Sequence, residues 1–396
     1  MTAAPVKILL IAPQPFLEKR GTPLAVLQLL KALGGMGHQV DLVSYHLGEA
    51  MPLPGVRHCR ALRIPFVKRV AKGMSAGKLF LDIFVFLKAL RLLFTNRYAC
   101  IHGVEEGAIM GGLLSYLFRV PLVYDMDSSI PEQLQESGHR LWGGRLAVRV
   151  AEAMERWTID RAKVVLPVCA SLAERVSRVS PSKPQQLLED IPNVEEFAAD
   201  RQADLLRLRQ ELGLAGKRVV LYTGTFEGYQ GIDLLLAAIP ALTADFPDTM
   251  FVLVGGEPGQ VAEKQAMADS LGIARQVLIL GKRPLEEMPL FMEMAEILVS
   301  PRNKGTNTPM KIYTYLQSGR PVVATRLPTH TQVLTDAVAM LVDPTASAFA
   351  DGIRQLLTNP QAGAALGRAG VQLIRDQYSF AGFSAKVGKA YRLIQP

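Results

Sequence analysis

The sequence predicts an α/β protein built from two doubly wound, Rossmann-like domains in tandem. Three observations carry that prediction. The chain has 396 residues, 49% of them apolar and only 20% charged, enough to fill two cores. Short, continuous apolar runs of strand length alternate with longer stretches of helical periodicity. After about residue 217 the alternation starts again, so 1–198 and 199–377 read as separate domains with a hinge near 190–200.

The elements follow in order. "VKILLIA" (6–12) is apolar throughout, as a parallel strand covered on both faces must be. A loop with Pro13, Pro15, Gly21 and Pro23 leads to a helix ending at Gly34-Gly35, and "QVDLVSY" (39–45) is the next strand. That length fits a right-handed βαβ crossover. Further strands are predicted at 99–104, 120–126 and 163–169, with helices at 106–118 and 144–162. In the second half, strands are predicted at 218–224, 249–256, 276–281, 296–301, 320–325 and 339–343. Helices fall between them near 231–246, 259–271, 286–295 and 309–318, and the chain closes with helices near 346–357, 361–376 and from 380.

The composition bounds the function. A net charge of +8 points to an anionic partner. Cys59, Cys100 and Cys169 form no CxxC pair and read as buried thiols in a reducing compartment. "KILLIAP" is too short for a secretory leader, and no run of eighteen apolar residues suggests a membrane span. Neither strand–loop–helix start contains G-x-G-x-x-G or a Walker A sequence, which argues against dinucleotide-dependent oxidoreductases and P-loop NTPases. No aromatic-interleaved basic strand supports nucleic-acid binding.

What remains is anion binding at the carboxyl edge of the sheets. From Ile297 to Thr335 there is no acidic residue, while Arg302, Lys304, Lys311, Arg320 and Arg326 are basic. Gly305, Thr306, Asn307 and Thr308 offer peptide N–H groups and hydroxyls, and Pro309 suits the first position of the following helix. A lysine in the first helical turn, Lys311, is unfavourable beside the positive helix end unless an anion offsets it. Two acidic clusters mark the first domain. "HGVEEG" carries His102, Glu105 and Glu106; "DMDSS" carries Asp125, Asp127, Ser128 and Ser129. Glu105, Glu106 or Asp127 could orient or deprotonate a hydroxyl, although acids are also simply favourable at a helix start, and Ser128 and Ser129 read as helix caps.

Several stretches together resemble the family 4 glycosyltransferases. "KILLIAPQPFLEKRGTPLAVLQLLKALGGMGHQVDLVS" resembles the family's opening strand, glycine loop and helix. "DIPNVEEF" resembles its interdomain signature, "VVLYTGTFEGYQGIDLLLAAI" its donor loop, and "PMKIYTYLQSGRPVVAT" its donor-site helix. The resemblance implies a GT-B fold, with the two domains facing each other across a cleft, and a retaining transferase. A sugar would pass from a nucleotide-sugar to a glycan or lipid-linked acceptor, in cell-envelope polysaccharide or glycoconjugate synthesis, without a metal or other cofactor. It also implies that the final helix, 378–396, packs back on the N-terminal domain. Gly21 and Thr22 would meet the donor from the N-terminal side; Gly224, Thr225, Gln230, Arg283, Thr314 and the 305–309 loop would hold it from the other. Lys311 would stabilise the departing diphosphate.

The chain also departs from the family. Where the family's donor loop reads G-R-x-x-x-x-K-G, Thr225 and Gln230 stand in place of the cations. Where it carries E-x7-E, this sequence has Thr306 and Thr314. A divergent transferase, a catalytically degenerate scaffold and, with least support, a GT-B sugar-nucleotide epimerase remain open on these residues. The segment 66–97 holds seven basic residues and one acid, Asp82, and so reads as a core helix behind a basic loop or as an element touching anionic headgroups through Lys68, Arg69, Lys72 and Lys78. The expected location is cytoplasmic, with the inner face of the membrane as a docking surface.

Overall fold

The computed structural model describes residues 4–16, 21–49, 52–65, 67, 70, 76–136, 144–193 and 201–394. Lys68, Arg69, Lys72 and His139 lie outside them. The chain forms two units. The first comprises Met1–Asp190 together with Phe380–Pro396, and the second comprises Ile191–Ser379.

The first unit holds strands β1 (Lys7–Ile11), β2 (Gln39–Ser44), β3 (Val56–Arg60), β4 (Cys100–Val104), β5 (Leu122–Met126) and β6 (Val164–Pro167). All pair in parallel, in the order β3-β2-β1-β4-β5-β6. The order reverses between β1 and β4, and the carboxyl ends flanking that point form the natural ligand site of such a sheet. The strands read as apolar runs because both faces are covered. Ile8, Leu9, Leu10 and Ile11 are all fully buried, and each such side chain contributes about 1.5–3 kcal/mol. The strand β3, "VRHCR", was not predicted. As an edge strand it buries only Cys59, and its charges hide the pattern.

Helix Glu106–Phe118 lies hard against β1: a Cβ on Gly107 would sit 2.2 Å from the Ile11 carbonyl oxygen. The closing helix, Phe380–Arg392, also belongs to this unit, and its Tyr391 Oη lies 2.8 Å from His102 Nδ1.

The second unit repeats the plan with β7 (Arg218–Thr223), β8 (Thr249–Val254), β9 (Val277–Ile279), β10 (Ile297–Ser300), β11 (Val322–Thr325) and β12 (Met340–Val342). Their order is β12-β11-β10-β7-β8-β9, all parallel, so the reversal falls between β7 and β10. Helices Ile232–Ala238 and Ala346–Thr358 bury Leu235, Leu236, Phe349 and Ile353 against this sheet. Behind β7 the backbone turns at Gly224, and Gly255 (φ 132°) presses on it so closely that a Cβ there would lie 1.7 Å from the Gly224 carbonyl oxygen.

Candidate functional site

The carboxyl edge of the first sheet gathers acids. After β4 the chain passes through Glu105 at φ 48° and ψ −121°, a region L-residues rarely adopt, before the helix from Glu106 begins. Holding a glutamate there costs about 1–3 kcal/mol. The turn is fixed by the Glu105 N–H bonding to the Asp125 carbonyl at 3.0 Å and by Ser128 Oγ donating to Glu105 Oε1 at 2.9 Å. Burial, then the Glu106 charge, push the Glu105 carboxyl up to about 7. Glu106 accepts from Lys78 Nζ at 2.6 Å. The Lys78 ammonium pKa is raised: burial opposes its charge, but Glu106 and Glu105 outweigh it.

Asp127, after β5, is pushed well above the carboxylate range, first by burial and then by Asp125, Glu105 and Asp190; the Thr22 side chain hydrogen-bonds to it and opposes the shift. Asp190 is raised to about 7, by burial and then by Asp125. His102 is fully buried between Tyr391 and Asp125, its Nε2 3.2 Å from Asp125 Oδ2. Glu105, Glu106, Asp127 and Thr22 are therefore gathered at one edge. Gly21 opens the helix Gly21–Gly35, with no atom within 4 Å of where a Cβ would stand. Ser129 Oγ donates to the buried Glu155 at 2.9 Å.

The carboxyl edge of the second sheet is opposite in character. The helix here is Lys311–Gln317, two residues shorter at its start and one at its end than the predicted 309–318, so Pro309 is not helical. Pro309 lies before it, in a turn whose carbonyl accepts from the Ile312 N–H at 2.9 Å. Lys311 does not point into solvent. Its Nζ lies 3.8 Å from the centroid of the Tyr222 ring and 3.3 Å from Gln230 Oε1. Among the described residues, no carboxylate pairs with it. Burial, then the Arg302 charge, hold its pKa well below the ordinary lysine value.

Around it, Tyr315 Oη takes the Thr223 N–H at 2.7 Å, and Tyr222 Oη donates to the Thr225 carbonyl at 2.7 Å. Arg302 Nη1 donates to the Asn307 carbonyl at 2.9 Å and to Thr329 Oγ1 at 2.7 Å, which ties down the 305–309 loop. The buried Thr308 hydroxyl has no hydrogen-bond partner among the described residues. Thr314 is buried, with the Asn193 N–H 3.4 Å from its Oγ1. Thr306 is exposed, its carbonyl accepting from Gln332 Nε2 at 2.6 Å.

Arg283 and His330 have partners of their own. Arg283 is exposed and drawn to Glu287 at 2.8 Å, over the Phe291 ring, by a short-range pair along the chain. His330 is neither at the surface nor open to a ligand: it is fully buried, bonded to Ser300 Oγ at 2.9 Å and the Thr325 carbonyl at 2.8 Å, and burial lowers its pKa to about 3.

Comparison with known proteins agrees with this layout. The family described as "Glycosyl transferases group 1" matches residues 206–372, and "Glycosyl transferase 4-like domain" matches 20–193, so between them they span most of the chain. The chain belongs to the family 4 glycosyltransferases. This glycosyltransferase is 31% identical over 208 residues to a GDP-mannose-dependent alpha-(1-6)-phosphatidylinositol monomannoside mannosyltransferase of Mycolicibacterium smegmatis, a match covering 50% of the chain and about half (54%) of the relative's length. It is 26% identical to the D-inositol 3-phosphate glycosyltransferase of Corynebacterium glutamicum, over 94% of the chain and 92% of that protein.

Among solved structures, the sucrose-phosphate synthase of Thermosynechococcus elongatus superposes with a TM-score of 0.76 at 21% identity, covering 98% of each chain. HepE of Anabaena, solved with UDP-glucose, gives 0.75 at 17%, covering 98% of this chain and 99% of that one. These likenesses establish the GT-B fold. In this glycosyltransferase, Gln230 Oε1 accepts from the Lys311 ammonium. Sequence reasoning missed that contact, together with the roles of Lys78, Tyr222, Tyr315 and Asp190. From sequence Lys78 reads as a contact for anionic headgroups, whereas it is largely buried against Glu106, and nothing in the local pattern of the others distinguishes them from core.

Proposed function

We propose that this glycosyltransferase takes a sugar from a nucleoside-diphosphate sugar and passes it to a hydroxyl of a glycan or lipid-linked acceptor, with retention at the anomeric carbon. The observation that carries the reading is Lys311, a cation packed against Tyr222 and Gln230 with no acid to neutralise it. Desolvating an unpaired ammonium is unfavourable, and a diphosphate relieves that cost. As the bond from the anomeric carbon to the diphosphate oxygen breaks, its electron pair leaves with the diphosphate. Lys311, the peptide N–H groups of the 305–308 loop and the free Thr308 hydroxyl are suited to receive that charge. The acceptor oxygen then bonds the same face of the sugar and gives up its proton.

The acidic edge of the first sheet is assigned to the acceptor. The acceptor hydroxyl needs a group able to take its proton near neutral pH, and Glu105, raised to about 7, is tuned for that task. Asp127, whose carboxyl is pushed upward by burial and by Asp125, is suited to hydrogen-bond and orient the acceptor. The names of the relatives favour a mannose-type or other hexose donor and an inositol-bearing acceptor. Contact of the 66–97 segment with an anionic membrane surface, and a cytoplasmic location, belong to the same reading.

A thermal-shift panel of nucleoside diphosphates and nucleotide-sugars tests it. One base should raise the melting temperature clearly more than the others, and NMR of the product should give the donor's anomeric configuration. No stabilisation by any nucleotide would overturn the reading.

A further inference from the structure

The large apolar side chains that stay exposed are not scattered. In helix Ala76–Thr95 they are Leu79 (40%), Phe80 (44%), Ile83 (55%), Leu87 (51%) and Phe94 (74%), one stripe at helical spacing. The outer face of helix Glu106–Phe118 offers Leu113, Tyr116 and Leu117 and no charge, and helix Arg145–Arg161 adds Leu146, Val150, Met154 and Trp157. The three helices are neighbours. Phe94 and Phe118 meet edge to face at 5.1 Å, and a Cβ on Gly112 would lie 2.8 Å from the Trp157 ring. An apolar face this wide is uncommon on a protein that meets only water.

We infer that this three-helix face of the first unit docks on an anionic lipid surface. Charge decides between occupants. Arg91, Arg97, Arg119, Arg145, Arg149, Arg156, Arg161 and Lys163 are exposed on or beside these helices, against Glu152 and Asp160. Among the described residues, Arg91, Arg97, Arg119, Arg145, Arg149 and Arg156 pair with no carboxylate. A second copy of the same face would set these cations against each other, whereas anionic headgroups neutralise them while the acyl boundary takes the aromatic and aliphatic tips. The contact is interfacial: no helix among the described residues is long and apolar enough to cross a membrane. The inference deepens the membrane contact proposed above, extending it from the basic 66–97 segment to two further helices. The helix that would meet the lipid with Leu113, Tyr116 and Leu117 starts at Glu106, directly after Glu105, so docking would seat the acidic edge relative to the bilayer.

The test is co-sedimentation with phosphatidylglycerol-containing and with pure phosphatidylcholine vesicles. The wild-type chain should bind the anionic vesicles at least about tenfold more tightly. Leu87→Gln, Leu117→Gln and Leu146→Gln together should weaken that binding by about tenfold or more, with the melting temperature and its shift by nucleoside diphosphate unchanged. Undiminished binding of the triple variant would overturn the three-helix face and leave a basic-segment contact standing. A concentration-dependent dimer abolished by the same variant would assign the face to a second copy. No vesicle binding at all would remove both membrane readings, while the nucleotide-induced shift would still report on the transferase.

Discussion

The two sheets have the same strand order and the same reversal point, yet their carboxyl edges carry opposite charge. At the first, Glu105, Glu106, Asp125, Asp127 and Asp190 crowd together, answered by Lys78. At the second, Lys311 and Arg302 stand with hydroxyls, amides and tyrosines. Burial first, and like charge second, favour the neutral forms: Glu105, Asp127 and Asp190 rise, and Lys311 falls. A shared topology thus fixes where a ligand binds, and the residues terminating two or three strands decide which charge it carries. The first edge suits a neutral polyol that must lose a proton; the second suits a dianion that must leave.

The sharpest way to break this contrast is Lys311→Met. Binding of nucleoside diphosphate should fall by about a hundredfold, the loss expected of a desolvated charged contact, with a much smaller change for the nucleoside alone. Calorimetry on both ligands checks it, and equal losses would remove the proposed role. Because the Lys311 pKa is depressed in the folded state, its contribution to stability increases as pH rises. The ligand-free methionine variant should therefore be no less stable than the wild type at pH 7.

The acidic edge makes the opposite prediction about pH. Glu105 and Asp190 are raised to about 7, so the folded state binds more protons than the unfolded chain between about pH 4 and 7. The stability they contribute is complete below pH 4 and is lost as pH rises through 7. Glu105→Gln should raise stability at pH 8 by about 2 kcal/mol and change it little at pH 4, as measured by urea unfolding at both pH values. A uniform effect would mean that Glu105 is not titrating as described.

Gln230→Lys restores the family's loop cation beside Lys311. Repulsion should cost the free protein about 1 kcal/mol, recovered on adding diphosphate; a loss that diphosphate does not recover would separate Lys311 from the anion site. The smallest effect belongs to Arg283→Ala. An exposed pair with Glu287 contributes about 0.3–0.5 kcal/mol, and diphosphate affinity should change by less than about twofold. A larger loss would bring Arg283 back to the donor.

Much of the fold was legible because parallel strands buried on both faces must be apolar, and eleven of the twelve announce themselves in this way. The twelfth, β3, lies at an edge, where one paired side suffices and Arg57, His58 and Arg60 are tolerated. The site was legible where a residue broke a local rule: Lys311 at a helix start, or a long window without acid. It was not legible where partners are distant in sequence. Gln230 meets Lys311 across 81 positions and Tyr391 meets His102 across 289. The burial of His330 is hidden for the same reason: Pro328, Thr329 and Thr331 beside it are types common at a surface, while β10 and β11 enclose it.

The helix carrying Tyr391 follows the whole second unit in the chain, yet it belongs to the unit that is made first. During synthesis, His102 must wait for nearly three hundred further residues before its hydroxyl partner exists. The earlier unit therefore stays incomplete until Phe380–Arg392 has emerged, while the later one can close as soon as residue 379 has done so. Loss of this helix would injure not the second unit, which precedes it in the chain, but the first.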